Sequence, residues 1–220
     1  FRSGAEARER ADQYRALASF FLDLPQKEAL AGMAEALSDF TEGAEGEESV
    51  GMGELRSFFA DASVDDRLLD TIGADRTFLV RGVTKKGPRP PYASLYADQA
   101  SGSSMFSLKA TYRQAGFDLS ADAHEAPDYL GIELAFCAVL LDRVAQACES
   151  GEDEAAVAAL VGGADDFVAR HVLPLGCGYA DEAISYAKTG YCRGMLHLLK
   201  EFLETEEALV KGKEAAVSAA

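Results

Sequence analysis

The sequence predicts an all-α protein, a single globular helical domain of about eight to ten helices over residues 1–220. Apolar residues recur at helical spacing in nearly every segment, and convincing strand-like alternation appears in none. Gly- and Pro-rich stretches separate these segments. A chain of 220 residues is long enough for one good-sized core or two small, closely packed ones. We expect frayed tails at residues 1–10 and 212–220.

The first half of the chain contains four predicted helices. The first has one apolar face, formed by Tyr14, Leu17, Phe21 and Leu24. Pro25 suits the first turn of the second, whose apolar stripe is Leu30, Met33, Leu37 and Phe40. The Gly- and Glu-rich stretch 41–53 is typical of a solvated loop. A third helix carries Leu55, Phe58 and Phe59, and a fourth carries Leu68, Leu69 and Ile72, with Ser63 as its expected N-cap.

The second half begins with a break and continues with longer helices. Residues 82–91 hold three prolines and three cations, so this loop cannot be helical and could act as a hinge. Ser103 or Ser104 can cap a helix that Gly116 ends; its stripe is Met105, Leu108 and Tyr112. A long helix is predicted from about residue 125 to 149, two shorter ones over 150–163 and 165–173, and a final long one over about 181–211.

Charge and cysteine content restrict the class of protein. The formal net charge is -16, from 21 Lys plus Arg against 37 Asp plus Glu. Such a field repels nucleic acid and anionic membranes and attracts basic partners. The four cysteines show no zinc spacing, which predicts free thiols in a reducing cytoplasm. The polar N-terminal stretch gives no sign of a signal peptide, and no apolar run reaches the ~18 residues of a membrane span.

One carboxylate falls inside an apolar helical face. Glu133 belongs to the stretch EAPDYLGIELAF, residues 125–136. When the helix is projected on a wheel, Glu133 falls between Leu140 and Val144. A buried, unpaired carboxylate is costly and must be neutralised, hydrogen-bonded or paired. One interpretation is an internal partner such as Arg76, Arg170 or a free N–H at another helix end. The other is that Glu133 shapes the floor of a groove.

The acids just before that face have an ordinary explanation. Glu125 and Asp128, with Pro127, are expected at a helix start, where acids contribute about 0.3–1 kcal/mol. The three histidines are weak candidates: His171 is expected to be a hydrogen-bonded core residue, His124 lies in a polar loop and His197 late in the last helix. We find no metal-binding, phosphate-binding or nucleophile–base motif, and therefore expect no catalytic residue, metal or cofactor.

A second notable stretch is PRPPYASLYADQ, residues 88–99. The prolines fix an extended approach, after which Tyr92, Leu95 and Tyr96 lie at i, i+3 and i+4 on one face of a helical turn. The plain interpretation is that both tyrosines pack on the core with satisfied hydroxyls.

Three motifs together resemble one protein family. PPYASLY resembles the PPYESVY segment of the TorD/DmsD/NarJ family of redox-enzyme maturation chaperones. APDYLGIELAF is similar to that family's PDHLxxELxFM, and DFVARHVLPLG to its F-x-x-x-H-L-x-P-W. Pro91, Tyr92, Tyr96, Asp128 and Glu133 match directly. The departures are Tyr129 for the usual histidine, Leu175 for the usual tryptophan and Ala93 for the usual glutamate.

The resemblance implies a TorD-like fold and a cytoplasmic chaperone without catalytic turnover. Such a protein binds the N-terminal, often twin-arginine, leader of a molybdopterin oxidoreductase subunit. It holds the apoenzyme until the cofactor is inserted, before export or assembly. The implied oligomeric state is a monomer or a helix-swapped homodimer.

From these residues we predict a client-peptide site. Tyr92, Leu95 and Tyr96 would supply apolar affinity, while Asp128 and Glu125 would attract the arginines. Its further members are Pro91, Tyr129 and Glu133.

Two other functions are compatible with the sequence alone. One is an acidic helical adaptor for a different basic protein. The other is a helical enzyme or small-ligand binder with Glu133 in a closed pocket. A closed apolar cavity around Glu133 would favour the enzyme, and an open groove between Tyr92 and Asp128 would favour the chaperone.

Overall fold

Helices account for nearly all of the described chain. The computed structural model describes residues 3–39, 49–82, 86–96, 105–117, 119 and 125–218. Within these ranges it has ten α-helices, and the only β-type pairing is an isolated bridge between Tyr92 and Tyr129. The all-α prediction is therefore confirmed. None of the described helices is long and apolar enough to cross a bilayer.

The ten described helices have the following bounds. In chain order they are α1 (Gly4–Leu22), α2 (Lys27–Asp39), α3 (Val50–Ala60), α4 (Asp66–Arg81), α5 (Ala93–Tyr96), α6 (Met105–Gln114), α7 (Leu130–Ser150), α8 (Glu154–Phe167), α9 (Leu173–Ala183) and α10 (Gly190–Ser218). A π-helical turn, Val168–Val172, joins α8 to α9, and a 3₁₀ turn, Ile184–Tyr186, follows α9.

The chain divides into two compact units. Unit 1 comprises Phe1–Leu22, Pro91–Gly176 and Glu206–Ala220, and unit 2 comprises Asp23–Pro90 and Cys177–Thr205. One boundary, between Pro90 and Pro91, falls inside the loop predicted to be a hinge. The hinge, like the frayed tails, stays a prediction.

Unit 1 is built on the packing of α1 along α7. Gly131 permits this contact, because a Cβ there would lie 2.7 Å from Phe21 Cβ. The same unit buries a charged cluster in which Arg10 pairs with Glu206 and Tyr14 donates a hydrogen bond to Glu206. Burial opposes the charge of Arg10, but Glu206 raises the Arg10 pKa overall. Glu206 therefore ties the second half of α10 to α1.

Unit 2 shows why glycines predicted to form a loop are helical. The stretch 41–53 does not continue as a loop to its end, because α3 begins at Val50 with Ser49 as its N-cap. A Cβ on Gly51 would lie 2.7 Å from Leu198 of α10, so this glycine allows α3 and α10 to approach closely. Leu24 was also wrongly placed, because α1 ends at Leu22 and Leu24 is 57% exposed.

Several helices differ from the prediction in their bounds or in the residue that caps them. Asp65, not Ser63, caps α4 by accepting the Leu68 N–H at 2.8 Å. The two short helices predicted over 150–173 are one helix, α8, followed by the π-helical turn. The last helix begins at Gly190 rather than near residue 181, because the buried Asp75 carboxylate accepts the Lys188 and Thr189 N–H groups just before it. Ser103, Ser104, Phe40 and His124 lie outside the described residues.

Candidate functional site

Two segments that are far apart in sequence meet within unit 1. The Ala93 N–H donates to the Asp128 carbonyl at 2.9 Å, and the Leu130 N–H donates to the Pro91 carbonyl at 2.9 Å. These bonds frame the Tyr92–Tyr129 bridge. We call residues 91–96 and 125–130 the α5–α7 junction. The two motifs singled out in the sequence therefore form one structural feature.

Asp128 is buried at the centre of the α5–α7 junction. Its side chain accepts the Ser94 N–H at 3.1 Å, and the residue is 5% exposed. The sequence placed Asp128 in the first turn of the long helix, but α7 begins at Leu130 with Tyr129 as its N-cap. Asp128 instead supplies the missing acceptor for an N–H at the start of α5, as an N-cap residue does. It joins the two segments rather than facing an open groove.

Tyr92 and Glu125 form the polar edge of the junction. The Tyr92 hydroxyl donates to Glu125 Oε2 at 2.6 Å, and both side chains are partly buried. The Tyr92 ring also packs against the Tyr129 ring, with a centroid separation of 5.1 Å. Tyr92 is therefore neither sealed in the core nor free in solvent, and Glu125 is held beside it.

Tyr129 occupies the position where the resemblance expects histidine. It is fully buried, and its hydroxyl donates to the Phe21 carbonyl at 2.9 Å. Its ring meets the Phe21 ring edge-on at 6.3 Å. Tyr129 thus fastens the junction to α1, and Phe21 is a supporting residue that the sequence did not identify. The only sequence signal for this contact was Gly131, a glycine inside the apolar run.

Solvent reaches only some of the predicted site residues. Leu95 is 48% exposed, Tyr96 is partly buried, and these follow Tyr92 at the start of α5. Pro91, Asp128, Tyr129 and Glu133 are buried. The structure therefore brings all eight residues into one unit and divides them into a solvent-accessible set and a supporting set.

Glu133 lies beneath the junction, one turn after Tyr129. It is fully buried, and neither carboxyl oxygen has a hydrogen-bond partner among the described residues. The predicted internal partner was wrong for Arg170, which pairs with Asp166 at the surface; Arg76 belongs to unit 2. Burial, and secondarily the Asp128 charge, raises the pKa of Glu133 well above its ordinary value. Both causes favour the protonated, uncharged form of the side chain.

The surroundings of Glu133 are apolar and weakly acidic. Burial raises the pKa of the Cys137 thiol, with Glu133 as a further cause, and the same two causes raise the Tyr112 pKa. The Tyr112 hydroxyl donates to the Pro127 carbonyl at 2.8 Å. Glu133 thus has acidic neighbours and no hydrogen-bond partner among the described residues.

The remaining candidates belong to packing. His171 stacks on Phe167 at 4.6 Å, and burial followed by Arg170 lowers its pKa. None of the four cysteines forms a disulfide, and Cys137 and Cys192 are buried. No group of three or more His, Cys, Asp or Glu side chains suited to a metal occurs in the part of the chain that the structure describes.

Comparison with known proteins identifies one family. The family model described as "Nitrate reductase delta subunit" matches residues 27–175, which is about two thirds of the chain. The match includes both segments of the α5–α7 junction and Glu133. No curated protein matches the chain.

Proposed function

Since this chain belongs to the nitrate reductase delta subunit family, we propose that it binds the N-terminal leader of a molybdopterin oxidoreductase catalytic subunit. Members of the family are chaperones of molybdoenzyme maturation and not enzymes, so the enzyme alternative is set aside. In the proposed role the protein acts in the cytoplasm and holds the apoenzyme until its cofactor is inserted. Export or assembly of the enzyme then follows.

The observation that carries the proposal is a short apolar surface whose first residue holds an acid. The partly buried Tyr92 binds Glu125 by a hydrogen bond, and the exposed Leu95 and partly buried Tyr96 follow Tyr92 on α5. A twin-arginine leader offers adjacent cations followed by an apolar stretch. The acid and the apolar side chains of the protein are therefore complementary to the cations and the apolar stretch of the leader.

The apolar contact must supply most of the affinity. Burying about 400 Å² of apolar leader surface corresponds to roughly 10 kcal/mol gross, and ordering a flexible peptide removes several kcal/mol of it. Exposed ion pairs contribute only about 0–1 kcal/mol each. We therefore assign affinity to Tyr92, Leu95 and Tyr96, and register and association rate to Glu125.

The buried members act by holding this surface in place. Asp128 fixes the start of α5 through the Ser94 N–H, and Tyr129 fixes the start of α7 through the Phe21 carbonyl. Pro91 contributes the carbonyl that Leu130 binds. Glu133 supports the junction from below. Asp128 therefore contributes to register indirectly, rather than by touching the leader arginines.

Titration with a panel of leader peptides tests this assignment. Leu95→Ala should weaken binding by about five- to tenfold, the expected cost of losing roughly 1 kcal/mol of apolar contact. Leu209→Ala is the matched control, because Leu209 is 45% exposed and lies on α10, away from the junction in sequence. Equal effects of Leu95→Ala and Leu209→Ala would contradict the role assigned to Leu95 in leader binding.

The salt dependence separates the apolar and ionic contributions. Raising the salt from about 0.1 to 0.5 M should lower the affinity moderately, because only the Glu125 contribution is screened. Complete loss at about 0.5 M would show that charge, and not apolar burial, holds the leader. Replacing the two leader arginines by citrulline then tells whether the client is of the twin-arginine or the non-exported kind.

Co-purification from anaerobically grown native cells identifies the client. Recovery of a molybdoenzyme catalytic subunit is the expected result. Recovery of an unrelated basic protein would favour the acidic adaptor instead. Light scattering on the same sample distinguishes the monomer from the helix-swapped dimer.

A further inference from the structure

The helix α6 is anchored in unit 1 by one face. Leu108 and Tyr112 are 3% and 1% exposed. The Tyr112 ring packs 4.7 Å from the Phe136 ring, and its hydroxyl binds the Pro127 carbonyl. These contacts fix the rotation of α6 about its axis. The opposite side of the helix is therefore held outward.

That outward side carries an aromatic ring next to two cations. Phe106 is 76% exposed, and Lys109 and Arg113 are both exposed. At 100° per residue, the three side chains fall within about 60° of one another and Phe106 lies about 160° from Leu108. We call Phe106, Lys109 and Arg113 the cationic α6 face. An exposed phenylalanine beside two cations is not needed for packing α6.

Several exposed cations of the unit form ion pairs, unlike those of this face. Arg8 pairs with Glu149, Arg15 with Asp142 and Arg170 with Asp166. Across the described ranges no carboxylate forms an ion pair with Lys109 or Arg113, although acids outnumber bases by 37 to 21. Lys109 and Arg113 are exposed and adjacent, and they lack a carboxylate partner among the residues described, although the chain is rich in acids. This arrangement points to a carboxylate from another molecule.

We propose that the cationic α6 face binds an acidic peptide segment that carries an apolar side chain. The apolar side chain would pack on the Phe106 ring, and flanking carboxylates would reach Lys109 and Arg113. The proposal does not rest on leader binding, since a cationic leader would be repelled here. It adds a second surface, of opposite charge preference, to the one at the α5–α7 junction.

Other partners fit the charges less well. An anionic membrane could in principle receive a phenylalanine and two cations, but the net charge of -16 repels such a surface. Nucleic acid binding is opposed by the same charge and requires several phosphate contacts for useful affinity. A short acidic peptide contacts only the cationic α6 face. Its repulsion by the more distant acids of the protein is largely screened at about 0.15 M salt.

Fluorescence anisotropy with labelled dodecapeptides tests the proposal. Each peptide of the panel has glutamates flanking one leucine or phenylalanine, with the spacing varied, and each has a twin with glutamine for glutamate. We expect saturable binding of at least one glutamate peptide and at least tenfold weaker binding of its twin. Phe106→Ser should weaken binding by about tenfold, which corresponds to about 1.4 kcal/mol.

A matched charge reversal controls for the overall field. Arg113→Glu should also weaken binding by about tenfold, whereas Arg67→Glu, on the exposed surface of α4 in unit 2, changes the net charge equally and should leave binding unchanged. Circular dichroism of each variant reports that the helices are retained. The substituted positions are exposed, so unfolding is not expected.

Several results would overturn the proposal. They are absence of saturable binding across the panel, equal binding of the glutamine twins, and equal effects of the two arginine reversals. Phe106-dependent sedimentation with phosphatidylglycerol vesicles, in place of peptide binding, would assign the face to membranes. Leader-peptide affinity should be the same in Phe106→Ser and the parent protein, so the two surfaces are tested separately.

Discussion

Replacing Glu133 by glutamine should remove a loss of stability that the protein suffers as the pH rises. Glu133 is fully buried without a described hydrogen-bond partner, and its pKa in the folded state is raised by burial and by Asp128. In the unfolded chain the same carboxyl titrates near its ordinary value of about 4.3. Between these two pKa values the folded protein keeps a proton that the unfolded chain has released.

The sign and size of the effect follow from this difference in bound protons. A folded-state pKa above the unfolded value gives stability that is complete below the unfolded pKa and is lost as the pH rises through the folded one. With one proton of difference, the free energy of unfolding falls by about 1.4 kcal/mol per pH unit. For each pH unit between the unfolded and the folded pKa, the Glu133→Gln variant should therefore gain about 1.4 kcal/mol of stability over the parent protein.

Urea unfolding at pH 5, 6 and 7, followed by circular dichroism, measures the effect. Glu152→Gln is the matched control, since it makes the same chemical change at a residue that is exposed on the turn after α7. A Glu133→Gln difference that is constant across this range would refute the reasoning. It would mean that the carboxyl finds a partner, or solvent, in the folded state.

Two further changes test the packing of unit 1. Asp128→Ala should cost about 1–2 kcal/mol of stability in urea unfolding, because the Ser94 N–H loses its acceptor, while Asp128→Asn should keep most of it; equal losses would show that the charge, not the hydrogen bond, matters. Gly131→Ala should cost about 1–3 kcal/mol, because its Cβ would lie 2.7 Å from Phe21 Cβ. Gly162→Ala, on α8 with nothing within 4 Å of the added Cβ, should instead raise the melting temperature slightly, and a loss there would contradict the open space seen around it.

The family was identified correctly from short motifs, but the use of their residues was not fully foreseen. PPY and PDY lie in two segments whose backbones meet at the bridge between Tyr92 and Tyr129. The sequence assigned Asp128 to the start of the long helix, whereas it caps α5 from 34 residues away. The sequence and the structure both place the Asp128 carboxylate at the start of a helix. Only the structure shows that this helix is α5 and not α7.

Local sequence determined that the chain is helical and which side chains face inward. The periodicity of α7 placed Glu133 among apolar residues, and its burial confirms that placement, because a helical face depends only on neighbours three and four residues away. Tertiary structure alone decided what each buried polar group meets. Asp128 finds the Ser94 N–H and Tyr129 finds the Phe21 carbonyl, while Glu133 finds no described partner. Such partners come from distant segments, whose approach is set by packing of the whole unit and is not encoded in the spacing of nearby residues.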